Sequence, residues 1–453
     1  MYAKNDKIQT LVTDMTSTGE GVSKADGMTV FTEGAVPGDK ITSKIVAVKP
    51  NYLKSELISI DEESEDRRKD QAVCPYQKQC GGCPFFDIDY SAQLRLKEKQ
   101  VRDALERIGG FENPPVEPIV GAAEPFFYRN KAQYKVGPDG LGFYAKGSHD
   151  VVPTATCLTQ PKNSGRIISL INSIIKKNKL SLYDEKTHKG LLRGIIQRTN
   201  REGKTMIVFV VNAKRMPEER AIADKLLKDS DIVSVYVNVN KAKGNRILGA
   251  ENRLIGGEEY LTEKLGGRTF QISPSSFFQV NTAQTEVLYG IVKEYADLKS
   301  GEEVYDLYCG TGTIGIYIAD DGIKLTGIEI NPESVEDAKT NAELNGLTDA
   351  EFLAGKAEVV VPEAGGEPDC VILDPPRKGC DRSLLELLLE MKTPRIVYVS
   401  CNPTTLARDL KILAGDYTIE KVQPVDLFPQ TGHVECVVLM SRVKDWVYGK
   451  GLI

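Results

Sequence analysis

The sequence predicts a multidomain chain: a small β-barrel, a mixed α/β middle, and a C-terminal α/β domain built on a parallel sheet. Three observations predict it. Residues 1–60 hold short apolar runs punctuated by glycines. A charged run over 61–70 is followed by three closely spaced cysteines. From about residue 270, strand-like and helix-like segments alternate, the pattern of βαβ units. The 453 residues allow two to four domains, and 41% apolar with 27% charged residues is ordinary for folded protein.

The elements follow in order. Ile8–Val12, Thr29–Phe31, Lys40–Val48 and Leu53–Ile60 read as strands, with turns at Gly19, Gly21, Gly27, Gly34 and Gly38. The run Asp61–Asp70 reads as a solvated linker. A helix is predicted over Ser91–Ile108, its apolar face made by Leu94, Val101, Leu105 and Ile108, with Gly109-Gly110 as the stop. From 125 to 270 the pattern is mixed, with strands at Met206–Val211 and Val233–Val239. Val287, Leu288, Ile291, Val292 and Tyr295 lie at helical spacing. Strands then fall at Glu303–Leu307, Leu325–Ile330, Cys370–Leu373, Ile396–Val399 and Val434–Met440. Asn331-Pro332 opens a helix that ends at Gly346, and another starts at Thr404. The boundaries that result are 1–60, 61–268 and 269–453.

Several function classes drop out. No run approaches the roughly 18 apolar residues of a membrane span. The opening MYAKNDK has no apolar stretch of signal-peptide type, so a cytoplasmic protein is expected. Nine cysteines are too sparse for a disulfide scaffold, and clustered ones point to a metal or to catalysis. The net charge of −6 counts against nucleic acid. Local basic faces remain at Arg129, Lys131, Lys135 and Lys146, at Arg193 to Arg201, and at Lys241, Lys243 and Arg246, although each also fits a solvated surface.

The C-terminal part carries chemistry. Asp306-Leu-Tyr-Cys-Gly-Thr-Gly312, with Gly315, is a strand running into a glycine turn, where Gly310 and Gly312 allow close approach of a ligand. Glu329 ends the next strand, placed for ribose hydroxyls. This spacing also fits a dinucleotide site, or a tight turn with no ligand. Asp374-Pro-Pro-Arg377 and Ser400-Cys-Asn-Pro403 each follow a buried strand, so both lie where open α/β sheets bind ligands. A helix start beside Cys401 would favour thiolate. Glu435 in His433-Val-Glu435 fits a general base or a surface carboxylate at a strand end, and His433 fits an orienting or structural role.

These residues, with Ser276-Phe-Phe-Gln279-Val-Asn281, resemble the RNA uracil-5-methyltransferase family, and within it the bacterial 23S rRNA branch. The resemblance runs through nearly the whole chain. It implies an OB-like TRAM barrel over 1–60 that binds RNA, a central α/β domain with iron–sulfur cysteines over 61–268, and a Rossmann-like methyltransferase domain over 269–453. It implies that Gln279, Tyr308, Glu329 and Asp374 bind S-adenosylmethionine. Cys401 would be the nucleophile, Glu435 the base, and Phe277 the platform for a flipped uracil, although core packing also suits that ring. The chemistry explains the residue types. Uracil C5 is a weak nucleophile, and a thiolate adding at C6 converts it into an enolate carbon able to take a methyl group.

Cys74, Cys80 and Cys83 are close in sequence and Cys157 stands apart. Four thiolates suit zinc or an iron–sulfur cluster. The resemblance implies a [4Fe–4S] cluster on these four, expected to shape the central domain around RNA. Cys309, Cys370, Cys380 and Cys436 read as packing residues. The expected partner is 23S rRNA or an assembling ribosomal particle, one specific uridine or two, and a single-chain enzyme. Three alternatives stay open: the same chemistry on tRNA, a nucleotide-binding iron–sulfur oxidoreductase, and a non-catalytic RNA-binding or assembly factor.

Overall fold

The computed structural model describes residues 2–70 and 72–443; residues 1, 71 and 444–453, the last falling in the third expected segment, lie outside the described residues. The N-terminal strands close into a barrel of order β1-β2-β3-β5-β4. They are β1 (Lys7–Met15), β2 (Glu20–Ala25), β3 (Met28–Glu33), β4 (Lys40–Val48) and β5 (Tyr52–Glu62). Alternation of buried and exposed residues in β1 (Ile8, Thr10 and Val12 inward) fits a strand with one dry face. The sequence reading missed β2, whose Glu-Gly-Val-Ser-Lys-Ala lacks an apolar run.

The predicted helix forms as α1 (Tyr90–Ala104), capped by the Asp89 carboxylate on the Ser91 amide. It then widens into one π-turn over Leu105–Gly109. That turn shifts the phase. Val101 and Leu105 are buried as expected, but Ile108 is 41% exposed and Leu94 only half-buried. The buried stripe runs instead through Gln93, Lys97, Val101 and Ala104.

The middle of the chain forms one seven-stranded sheet, order β12-β11-β10-β9-β6-β7-β8. Its elements are β6 (Lys131–Gly137), β7 (Gly140–Tyr144), β8 (Val151–Pro153), α2 (Ser164–Lys177), β9 (Leu192–Thr199), β10 (Thr205–Val211), α3 (Glu219–Leu226), β11 (Ile232–Val239) and β12 (Glu251–Gly257). One face packs on α2 and α3 through Ile195, Ile207, Phe209 and Val237. The other joins the C-terminal core through Ile196, Met206, Val208 and Val210. Burial on both faces explains why β10 reads as an unbroken apolar run.

A hairpin, β13 (Leu261–Leu265) and β14 (Arg268–Ile272), leads to α4 (Thr282–Ala296). The C-terminal elements are β15 (Glu303–Leu307), α5 (Thr313–Ile318), β16 (Lys324–Glu329), α6 (Pro332–Leu344), β17 (Ala350–Ala354), α7 (Ala357–Ala364), β18 (Cys370–Leu373), α8 (Arg382–Met391), β19 (Arg395–Ser400), α9 (Pro403–Leu413), β20 (Tyr417–Val425) and β21 (Glu435–Arg442). Their sheet has the order β17-β16-β15-β18-β19-β21-β20, parallel except for antiparallel β21. The α/β reading of this part therefore holds, with β17 and β20 added. The strand order reverses beside β15, and the carboxyl ends of β15, β16, β18 and β19 open on one side.

Candidate active site at the sheet's carboxyl edge

A cavity of about 670 Å³ lies at these strand ends. Phe277, Gln279, Tyr308, Glu329, Asp374, Cys401 and Glu435 all line it. The sheet register accounts for the last two. β19 and β21 run antiparallel with Ser400 opposite Cys436, which sets the next pair, Cys401 and Glu435, across from one another at the edge.

The loop holding Cys401 is cross-tied. Asn402 caps α9 through its side chain on the Thr404 amide at 3.1 Å and donates to the Arg377 carbonyl at 3.0 Å. Thr405 donates to the same carbonyl at 3.2 Å. The Asp-Pro-Pro-Arg and Ser-Cys-Asn-Pro turns are thus one unit. The Arg377 guanidinium stands 3.2 Å from the His433 ring. Arg377 carried no assigned role in the sequence reading; its place at the end of the Asp-Pro-Pro-Arg turn is the signal that could have marked it.

The electrostatics correct one expectation. The helix start does not set the Cys401 thiol low. Burial, then Glu435 and Asp374, push it up to about 11, and Arg377 opposes them. Burial also lifts Asp374 to about 7 and holds Glu435 well above the usual carboxylate range, where Asp374 adds to the effect and Arg377 works against it. His433 is depressed to about 4 by burial and by Arg377, Lys97 and Arg129, so it is neutral near pH 7. Burial thus favours the protonated form of Glu435 and, less strongly, of Asp374.

The glycine turn forms, but only Gly310 of the two faces the ligand cavity, so the expectation that Gly312 also admits a ligand is corrected. Gly310 (φ +56°) has no atom near its missing side chain and faces the cavity. A side chain at Gly312 (φ +76°) would meet Ile316 and Phe352, so that glycine serves helix–sheet packing. Tyr308 sits at φ +66°, a costly conformation for an aromatic residue. Glu329 accepts from the Gly310 and Asn331 amides at 3.2 and 2.8 Å, fixing its carboxylate on the rim. Asp306 is fully buried, takes the Gly315 amide on one oxygen and leaves the other without a partner. An acidic rim, a bare Gly310 backbone and apolar walls fit a nucleoside with a charged tail. Phe277 is 63% exposed inside this cavity, which rules out core packing for its ring.

The segment Asp426–His433, which leads to Glu435, is gripped by the region around the cysteines. Lys97 donates to Asp426 at 2.6 Å and to the Phe428 carbonyl at 3.0 Å, with both charged side chains fully buried. Gln430, fully buried at φ +69°, exchanges hydrogen bonds with Gln93, takes one from Arg68 and one from the Phe85 amide, and donates to Pro125. None of this was legible beforehand.

Cys74, Cys80, Cys83 and Cys157 are unpaired and half-buried. Burial raises the first three thiols, Cys83 to about 12, and Cys157 raises each of them further. The four therefore share one neighbourhood. Among the described residues, no three His, Cys, Asp or Glu side chains are arranged to hold a single metal ion.

Comparison with known proteins adds three matches by region. Residues 367–443 match the family described as tRNA (Uracil-5-)-methyltransferase, residues 304–382 a methyltransferase domain, and residues 5–58 the TRAM domain. An uncharacterized RNA methyltransferase of Bacillus cereus is 44% identical over 451 residues, spanning 97% of this chain and 98% of that protein. One of Halalkalibacterium halodurans is 41% identical over 448 residues, 97% of each. Among solved structures, the tRNA (uracil-54, C5)-methyltransferase of Pyrococcus abyssi, in complex with S-adenosyl-L-homocysteine, superposes with a TM-score of 0.79 at 30% identity, covering 96% of this chain and 100% of that one.

Proposed function

The chain belongs to the S-adenosylmethionine-dependent RNA uracil-C5 methyltransferases, and from that premise we propose that it methylates a specific uridine, or two, in 23S rRNA through a covalent Cys401 adduct. The observation that carries the mechanism is the pairing of Cys401 with Glu435 across β19 and β21, in the cavity that also holds Phe277, Gln279, Tyr308, Glu329 and Asp374.

Gln279, Tyr308, Glu329 and Asp374 hold S-adenosylmethionine, which supplies an electrophilic methyl on a positively charged sulfur. Phe277 stacks on the flipped uracil. With the donor's positive charge in place, Cys401 and Glu435 each lose a proton to solvent; the Cys401 thiolate then adds to C6, and the C5–C6 π electrons move toward C5 and O4. C5 then takes the methyl group as the carbon–sulfur bond of the donor breaks. Glu435, by then a carboxylate, removes the C5 proton. The released electron pair restores the C5–C6 double bond and expels the Cys401 thiolate. Arg377 lowers the thiol's cost of ionisation, and neutral His433 beside it orients that guanidinium without adding charge.

The four cysteines lie in one neighbourhood without being arranged to hold a single metal ion, and on the resemblance we assign to them a [4Fe–4S] cluster. Cluster chemistry is supported by the number and kind of donors, and is tested by iron and sulfide content of anaerobically purified protein and of Cys83→Ser. The acceptor rests on resemblance to the ribosomal branch. A second reading, tRNA, is favoured by one finding: the Pyrococcus abyssi tRNA enzyme aligns with 96% of this chain, so the barrel does not discriminate the two RNAs. Methyl-labelled S-adenosylmethionine offered separately with unmodified 23S rRNA and tRNA transcripts decides. Label in 5-methyluridine from rRNA is expected; label only in tRNA transfers the chemistry to the second reading, and label in neither overturns both.

A further inference from the structure

Three clefts share lining residues in turn. His433 is common to the catalytic cavity and to a groove between the barrel and the cysteine segment, and Arg129 is common to that groove and to a third cleft of about 700 Å³. The third cleft has an unusual wall. Phe126, half-buried, lines the cleft while resting against Phe86, and the Tyr128 hydroxyl donates to the Pro429 carbonyl. Phe127 between them points out, 40% exposed, at φ +55°. A bulky residue in that conformation is strained. The strain is held from both sides: the Phe127 amide donates to Leu158 at 2.6 Å, Arg129 to Thr159 at 2.9 Å and Asn130 to Val280 at 2.7 Å. Backbone strain of this kind concentrates where a side chain is presented for use. Lys162 stands 5.6 Å from the ring centre, and it has no ion pair among the described residues. Of the carboxylates here, Asp231 is taken by Arg166, while Glu124 and Glu202 also line the cleft. The wall therefore offers an aromatic face with two cations, Lys162 and Arg129, that have no ion pair among the described residues, and Arg201, which is paired with Glu286.

We propose that Phe127 is a second stacking platform, which takes a base of the single RNA strand leading away from the catalytic cavity, with Lys162 on an adjacent phosphate. This rests on the RNA-acceptor reading above. Stacking of one base on an aromatic ring is sequence-tolerant and largely insensitive to salt, whereas a phosphate contact is not.

The test uses the full-length protein and a labelled oligouridylate of about 16 nucleotides, the upper site size of one nucleic-acid-binding fold. Asn accepts a left-handed backbone and cannot stack, so Phe127→Asn melts at or above the native temperature and binds about tenfold more weakly. Phe127→Trp keeps native affinity. The loss in Phe127→Asn stays constant as salt is raised, while that of Lys162→Ala shrinks. With a methylatable transcript, Phe127→Asn raises KM and leaves kcat unchanged. Native affinity in Phe127→Asn, or an equal loss in Phe127→Trp, overturns the proposal, as does a native protein that binds no strand. Phe127-dependent binding by a protein that methylates no uridine keeps this platform and defeats the catalytic reading.

Discussion

Cys401 faces a problem of protons. Its thiol is raised to about 11 by burial and by Glu435 and Asp374, so near pH 7 only a trace is thiolate. Alkylation of Cys401 by iodoacetamide is therefore expected to rise about tenfold per pH unit between about pH 7 and 10. A positively charged sulfur nearby opposes the two carboxylates, so S-adenosylmethionine should speed alkylation near neutral pH and neutral S-adenosylhomocysteine should not. Equal effects of the two ligands, measured by mass spectrometry of the Cys401 peptide, contradict this electrostatic account. Asp306 offers a second residue-scale check. Burial raises its folded pKa to about 7, above the unfolded value, so the associated stability is present in acid and is lost as pH rises through about 7. Asp306→Asn escapes that loss, and its melting temperature should gain on the native protein's as pH goes from about 5 to 8. The residues assigned to catalysis and donor binding stood out because they sit in short turns with fixed neighbours: Cys401 before Asn-Pro, Asp374 before Pro-Pro. Their proton affinities did not, because these depend on which carboxyls the sheet register brings near.

At the scale of elements, α1 shows where pattern reading stops. Its apolar positions predicted the right helix and half of its buried face, while the π-turn at Leu105–Gly109 and the burial of Gln93 and Lys97 escaped. A lysine on a helix reads as solvated until its partner is known, and Asp426 lies 329 residues away. The Lys97–Asp426 pair ties α1 to the segment before Glu435. Removing one partner leaves a buried charge, and Lys97→Met is expected to destabilise by about 3–5 kcal/mol. Adding Asp426→Leu should recover much of that loss, read by urea denaturation. A double variant as unstable as the sum of the singles would show that the pair is not coupled. In the same way β20 was missed because Tyr417–Val425 is broken by Glu420, Lys421 and Pro424, whereas antiparallel β21 was legible from the apolar run Cys436–Met440.

At the scale of the whole molecule, the barrel is seated on the catalytic segment. A side chain at Gly432 would run into Ser17, and one at Gly19 into Pro84. These glycines let the turn after β1 approach within one residue of His433. Gly432→Ala is expected to lower methyl transfer while S-adenosylhomocysteine still binds, because Gln279, Tyr308, Glu329 and Asp374 lie on other elements; loss of ligand binding, measured by calorimetry, contradicts that separation. The N-terminal barrel and the C-terminal α/β fold were legible from glycine-spaced strands and βαβ alternation. The way the parts grip one another was not, since it rests on glycines and polar side chains with no periodic signature. The central claim is the covalent route through Cys401, and RNA carrying 5-fluorouridine tests it most directly. Fluorine at C5 cannot be removed by Glu435, so the methylated adduct should persist as a denaturant-stable protein–RNA complex that forms only with S-adenosylmethionine and is absent in Cys401→Ala. A complex that survives in Cys401→Ala, or methyl transfer by that variant at the native rate, would contradict the account.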